Sequence, residues 1–424
     1  MNTKILVSHP TANVFSLALA RHLISVGKLD SFRTSIAWSS EHPLLKRLPS
    51  SLRNQLNRRA VDPSFRAFLK TNPLLEVGRL ATAALKWKTL YAKETSLFSV
   101  DAVYHRIDKW VAKAVKTLDP TTILYAYEDG AYHTFQEGKR NGLTCTYDLP
   151  IAYWGLRKQL FAEEMDRYPE WTPTMRGTGD SQAKLDRKTE EAKLADIIIC
   201  PSDFVKRSIP SEVADPSKIA VVPFGSPAIS ANQGAYKVND ISKPLSVLFV
   251  ASMSQRKGLA DLFSAIRLMP RGSVTLRIIG STVLPLDFYQ KWGPEFEYLG
   301  TMPREHVLQH MREADVMVLP SIAEGRALVT QEALSQGLPI IITPNTGAED
   351  LILPEKNGFI VPIRNPEAIA EKLTWFCDNR KEIESMKSNA QNSVRAFTWE
   401  SYAVGILEFI ESFADQQTSP RLKS

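Results

Sequence analysis

Short runs of apolar, largely β-branched residues recur along the whole chain, and stretches of helical length separate them. This alternation restricts the fold more than any other feature of the sequence. Runs near residues 4–8, 35–38, 122–126, 144–147, 196–200 and 218–222 form one set. Runs near 245–250, 274–280, 296–299, 315–319, 340–343 and 359–361 form a second. Runs this short and continuously apolar suit strands covered on both faces, which is the condition of parallel sheets. The intervening helices supply the crossovers that parallel strands need. The pattern predicts an α/β protein of two doubly wound, Rossmann-like domains, and 424 residues suffice for two cores. Residues 226–244, rich in Ser, Asn, Gly and Pro without apolar periodicity, read as the linker. The domains are then 1–225 and 245–397, with an amphipathic helix over 398–416 and a disordered tail over 417–424.

Within the second set, the run Asp315–Ser321 leads into Glu324-Gly325-Arg326-Ala327-Leu328-Val329-Thr330-Gln331-Glu332. The composition predicts a loop and then a helix starting near Arg326 or Ala327, closed by Gly337 and Pro339. The first turn of a helix carries unpaired N–H groups and partial positive charge, so it can hold a phosphate. Glu332 falls about two turns into that helix, where an acceptor-only carboxylate can grip a diol. Taken alone, Glu324 reads as readily as a capping acid, and Glu332 as a solvated helix residue. A second polar element, Ser252–Gly258, follows another apolar run and carries Arg256 and Lys257.

The residues Pro320-Ser321, Glu324-Gly325, Glu332-Ala333-Leu334, Gly337-Leu338-Pro339, Thr343, Gly347 and Asn357-Gly358-Phe359 carry a resemblance. Together they resemble the glutamate-x7-glutamate fingerprint of retaining GT-B glycosyltransferases, specifically glycosyltransferase family 4. Arg326-Ala327 departs from it, standing where the family has an aromatic–glycine pair. The resemblance implies a GT-B fold with the reaction in the interdomain cleft, and a final helix that crosses back to the first domain. It implies transfer of a sugar from a nucleotide diphosphate donor, UDP- or GDP-linked, to a hydroxyl acceptor with retention. No Asp-x-Asp motif stands where a metal-dependent enzyme needs one, so no metal and no other cofactor is expected.

The resemblance also assigns expected roles. Arg256 and Lys257 match the family's Lys-Gly element and would clamp the diphosphate, for which a planar fork and a point charge are suited. Gly325, Arg326 and the amides of Leu328 and Val329 would meet the same group. Glu324 would hold the transferred sugar and Glu332 the ribose, while Gly280 and the stretch around Met302 would border the base. Asp148, in Tyr147-Asp148-Leu149-Pro150, stands where relatives contact the donor sugar. Glu128, Asp129 and Ser202 also fall at predicted strand ends, where ligands of such sheets bind. The first turn, His9-Pro10-Thr11-Ala12-Asn13-Val14, lacks the family's usual glycine, and His9 is either a substrate contact or a structural residue.

Charge narrows the partners. A net +6 is modest for this length and does not argue for nucleic acid. Its distribution is uneven: residues 44–93 hold eleven Lys or Arg against Asp62 and Glu76, with apolar residues at helical spacing between them. Such a surface suits peripheral contact with an anionic membrane, or it is a solvated face packed through its apolar stripe. Many family members use lipid-linked acceptors, so a saccharide or a lipid-linked saccharide is the expected acceptor. Cys145, Cys200 and Cys377 are odd in number and lack metal-ligand spacing, which suits small buried side chains in a reducing compartment. No signal peptide or membrane span is apparent, and a cytoplasmic location is expected. Two rivals share the fold: a nucleotide-sugar epimerase, and a non-catalytic partner subunit.

Overall fold

The computed structural model describes residues 3–39, 59–175, 179–227, 229 and 242–418. Part of the basic segment at 44–93, most of the expected linker and the end of the tail lie outside them.

The first domain is built on β1 (Ile5–Ser8), β2 (Leu29–Thr34), β5 (Leu69–Thr71), β6 (Ile123–Tyr127), β7 (Cys145–Asp148), β8 (Ile197–Cys200) and β9 (Ile219–Val221). These seven strands are parallel, in the order β5-β2-β1-β6-β7-β8-β9. A small ladder, β3 (Trp38–Ser39) with β4 (Ala60–Val61), lies beside them. The second domain uses β10 (Leu245–Val250), β11 (Val274–Ile279), β12 (Phe296–Gly300), β13 (Val316–Leu319), β14 (Ile340–Ile342) and β15 (Gly358–Ile360), in the parallel order β12-β11-β10-β13-β14-β15. Both sheets follow the doubly wound pattern, and the two domains together have the GT-B architecture. In the second sheet the strand order reverses between β10 and β13, which pair Val247 with Val316. A crevice opens at such a switch point, outside the carboxyl ends of the strands.

Two boundaries differ from expectation. The second strand is Leu29–Thr34, not 35–38. Asp30 and Arg33 interrupt its apolar run, because the strand lies one in from the sheet edge and leaves both half-buried. The helix expected from Arg326 or Ala327 starts at Leu328, with Ala327 in extended conformation before it.

The largest difference concerns residues 154–174. The helix Trp154–Arg167 and the turn Pro169–Thr174 precede the linker in sequence, yet the turn and the C-terminal half of the helix pack on the second domain, while Trp154 stays on the first. Trp171 is buried in that domain's core, 5.8 Å from the Phe263 ring, 5.2 Å from Phe288 and 5.7 Å from Tyr289. Trp171→Ala is therefore expected to destabilise the second domain by about 3–5 kcal/mol, which urea unfolding followed by a probe in that domain would read. Conversely, the helix Trp399–Thr418 lies on the first domain, placing Tyr402, Ala403, Ile406 and Ile410 in its core beside the helix Val14–Ser25. Among the described residues no helix is long and apolar enough to cross a membrane.

Candidate active site

The loops after β10 and β13 meet because their strands are neighbours. Gly258 makes the approach possible: its φ is +71°, and a Cβ there would lie 2.0 Å from the Pro320 carbonyl oxygen. The Ile322 amide donates to the Arg256 carbonyl at 2.9 Å. From this contact Arg256 Nη1 reaches Glu324 Oε1 at 2.7 Å, and Lys257 Nζ reaches the same oxygen at 2.6 Å. Two cations thus share one carboxylate, leaving the cluster with an unbalanced positive charge. Burial lowers the Lys257 pKa, opposed by the nearby Glu324 carboxylate and aided by Arg256. An anion in this place would balance the excess charge and favour the charged form of Lys257 against its desolvation.

The Glu324 loop is held from two sides. Its amide donates to the Asn345 carbonyl at 3.0 Å, and Ala327 donates to Thr346 at 3.2 Å. From the first domain, Ser202 Oγ donates to the Gly325 carbonyl at 2.6 Å. The following helix, Leu328–Ser335, has no side-chain cap. Its first amides, Leu328 and Val329, have no intrahelical acceptor and follow Glu324, which pairs with the two cations, by four and five residues. Leu328 packs on the first-domain core and Val329 on the second, so the turn sits at the domain junction.

Farther along the same sheet edge, Gly280 has φ +149°, and a Cβ there would lie 1.9 Å from the Ala251 carbonyl oxygen. Tyr298 Oη donates to the Gly280 carbonyl at 2.9 Å. Met302 is half-buried against the second-domain core. Glu332 is paired with Arg304, whose Nε lies 2.7 Å from Oε1.

Several expected site residues have other tasks. Arg326 does not offer its side chain to a ligand: Nη1 and Nη2 donate to Asp350 at 2.7 and 3.1 Å, and Nε donates to Gln331 at 3.1 Å. All of it is buried. Asp148 is 1% exposed, and its Oδ2 accepts from Tyr125 at 2.5 Å and from Tyr402, on the last helix, at 3.3 Å. It fastens that helix to the sheet. His9 is buried, its Nδ1 accepting from the Thr11 amide at 3.1 Å and its Nε2 2.8 Å from the Asn13 side chain. Burial lowers its pKa to about 3, so it is neutral. Ala12 takes φ +52° in this turn, the left-handed conformation in which a glycine is at ease. Glu128 and Asp129 face Lys188 at 3.4 and 3.3 Å, within a cluster of opposite charges.

Asp148 also gives a pH prediction. Burial raises its pKa to about 7, and the two tyrosine donors only partly offset this. The folded state therefore holds a proton that the unfolded chain releases near the ordinary aspartate value. Its stabilising share is full below about pH 4 and is lost as pH rises towards 7. Asp148→Asn is expected to raise Tm relative to wild type at pH 8 and to lose most of that advantage at pH 5. A constant Tm difference across this range would show that Asp148 is ionised throughout.

Sequence reasoning missed Gln255, Glu164 and Asp261. Gln255 Nε2 donates to Glu164 at 2.6 Å and to Asp261 at 3.0 Å, fixing the backbone that carries Arg256 and Lys257. Glu164 comes from the segment packed on the second domain, a placement without a local sequence signal.

Residues 236–393, which include β10 to β15, match the family model described as Glycosyl transferases group 1. The match covers the second domain and leaves the first domain outside it. A putative colanic acid biosynthesis glycosyltransferase of Salmonella typhimurium is 26% identical over 213 residues, covering 47% of this chain and 52% of its own length. The chain spans between about a third and three-fifths of the length of the curated relatives it matches first. Among solved structures, sucrose-phosphate synthase from Thermosynechococcus elongatus superposes with a TM-score of 0.64 at 16% identity, covering 98% of this chain and 99% of that one. The Anabaena protein HepE in complex with UDP gives a TM-score of 0.61 at 16% identity, over 96% of this chain and all of that one. The second domain contributes Arg256, Lys257, Glu324 and the Leu328 helix, so the cluster lies wholly within the matched region.

Proposed function

We propose that this chain is a retaining, metal-independent glycosyltransferase of family 4. It moves a sugar from a UDP- or GDP-linked donor to a hydroxyl of a saccharide or lipid-linked acceptor, in polysaccharide or glycolipid assembly on the cytoplasmic side of a membrane. One observation carries this reading: two cations outnumber the single Glu324 carboxylate beside an uncapped helix N-terminus, at the switch point of a nucleotide-binding type of sheet. Such an arrangement suits a diphosphate, whose charge grows as the sugar departs.

Arg256, Lys257 and the amides of Gly325, Leu328 and Val329 hold the diphosphate. Glu332 takes the ribose hydroxyls once Arg304 is displaced, Gly280 and Met302 border the base, and Glu324 orients the transferred sugar. The Anabaena neighbour was solved with UDP, and a relative bears a colanic acid biosynthesis name; both support a nucleotide donor and a polysaccharide product. Membrane contact is supported by Leu74, Val77, Leu85 and Trp87, all exposed, with Lys86, Lys88 and Lys93 nearby.

Thermal shift and donor hydrolysis across a panel of nucleotide sugars, on wild type and Lys257→Ala in parallel, test the proposal. Stabilisation by one donor, lost in the variant, supports it and names the sugar. No stabilisation by any donor or free nucleotide overturns it in favour of a non-catalytic partner subunit.

A further inference from the structure

Arg326 and Gln331 are both buried behind the donor loop, and neither side chain is used directly in the proposed reaction. The chain passes between the domains near residues 222–226 and returns near 396–399. The two crossings touch: the Ser226 amide donates to the Phe397 carbonyl at 2.7 Å, and a Cβ on Gly225 would lie 2.4 Å from the Trp399 nitrogen. Gln331 Nε2 donates to the Phe224 carbonyl and to Ser226 Oγ, each at 2.8 Å. Its Oε1 accepts from Arg326 Nε. The Arg326 guanidinium lies 5.2 Å from the Phe397 ring centre and also donates to the Gly347 carbonyl at 3.3 Å. A continuous path therefore runs from both crossings to the residue next to Gly325.

We propose that Arg326 and Gln331 are positioning residues that set the donor-phosphate loop, Glu324–Val329, against the two interdomain crossings. This rests on the reading of that loop as the donor site. Buried charge is a poor source of stability, since apolar side chains of similar size often serve as well. What a fork and a carboxamide add is fixed direction. They make the height of the Gly325 and Leu328 amides depend on where the crossings lie.

The test is calorimetric binding of UDP and of GDP to the full chain, as wild type, Lys257→Ala, Gln331→Met, Ser226→Ala and the double variant Gln331→Met/Ser226→Ala. Gln331→Met is expected to raise the diphosphate Kd about tenfold and Ser226→Ala about threefold. The double variant should bind no worse than Gln331→Met alone, because both changes remove one link and coupled sites are not additive. Ser226→Ala removes a single hydroxyl distant in sequence from the loop, so it reads the link even if Gln331→Met folds poorly. Wild-type affinity in Ser226→Ala, or additive losses in the double variant, overturns the proposal while the donor site stands. Failure of wild type to bind either diphosphate, or unchanged binding by Lys257→Ala, overturns the donor-site reading and this proposal with it.

Discussion

Lys257→Ala is expected to lower kcat/KM for the nucleotide-sugar donor by roughly 10- to 100-fold or more. A charge-assisted hydrogen bond contributes about 1.5–3 kcal/mol, and each 1.4 kcal/mol is about tenfold. The site's charge balance adds to this. With Lys257 gone, Arg256 and Glu324 neutralise each other, and the excess positive charge that would attract a diphosphate disappears. The donor Kd should rise with the loss in kcat/KM if the contact exists before reaction, and kcat should fall further if it strengthens as the diphosphate leaves. Glu324→Ala separates the two functions of this cluster. It frees both cations, so free diphosphate should bind at least as tightly while sugar transfer falls by one or more orders of magnitude. Near-normal kcat in Glu324→Ala would remove that carboxylate from the reaction, and kcat/KM within twofold of wild type in Lys257→Ala would remove the cation clamp.

Gly325→Ala is expected to be severely damaging for the addition of a single methyl group. A Cβ there would lie 1.7 Å from the Pro150 carbonyl oxygen and 2.9 Å from the Ile151 Cα, both backbone atoms of the other domain. No rotamer can relieve that overlap. Gly347, with φ +73°, presses on the same loop, since its own Cβ position lies 2.0 Å from the Gly325 carbonyl oxygen. Relief requires the domains to part locally, so stability should fall by about 3 kcal/mol or more, the upper end of overpacking costs. Transferase activity should be lost even at temperatures where the protein remains folded, because the Leu328 and Val329 amides move with the loop. Gly142→Ala is the control: its φ is +70° with nothing within 4 Å of the Cβ position, so only about 1 kcal/mol of backbone strain is expected. Equal urea midpoints for the two variants would mean that the domain contact at Gly325 yields easily.

The parts of the site that were legible in the sequence are those with local causes. The apolar runs identified eleven of the thirteen sheet strands at the right place, because a strand covered on both faces must be apolar throughout. They misplaced Leu29–Thr34, where neighbouring polar residues need only half-exposure, and they did not separate out the short edge strand Leu69–Thr71. The Glu324–Glu332 stretch and the Arg256-Lys257 pair were visible because strand, loop and helix follow one another in the chain. Arg326 and Asp148 were misread for a shared reason. Each stands at a position where an exposed side chain would serve a ligand, and only packing shows that Asp350 and Gln331 enclose one while Tyr125 and Tyr402 enclose the other.

By itself, then, the sequence determined two parallel α/β domains, the strand-to-helix turns of the candidate site, and the charges placed on them, since propensity and periodicity act over a few residues. The tertiary structure decided that Arg256 and Lys257 share the one Glu324 carboxylate, because β10 lies beside β13 although about seventy residues separate them. It also decided that Trp171 belongs to the second domain's core, whereas the closing of the last helix on the first domain was already implied by the family resemblance. Those choices depend on which surfaces bury each other across long loops of chain, and no local stretch of sequence holds that information.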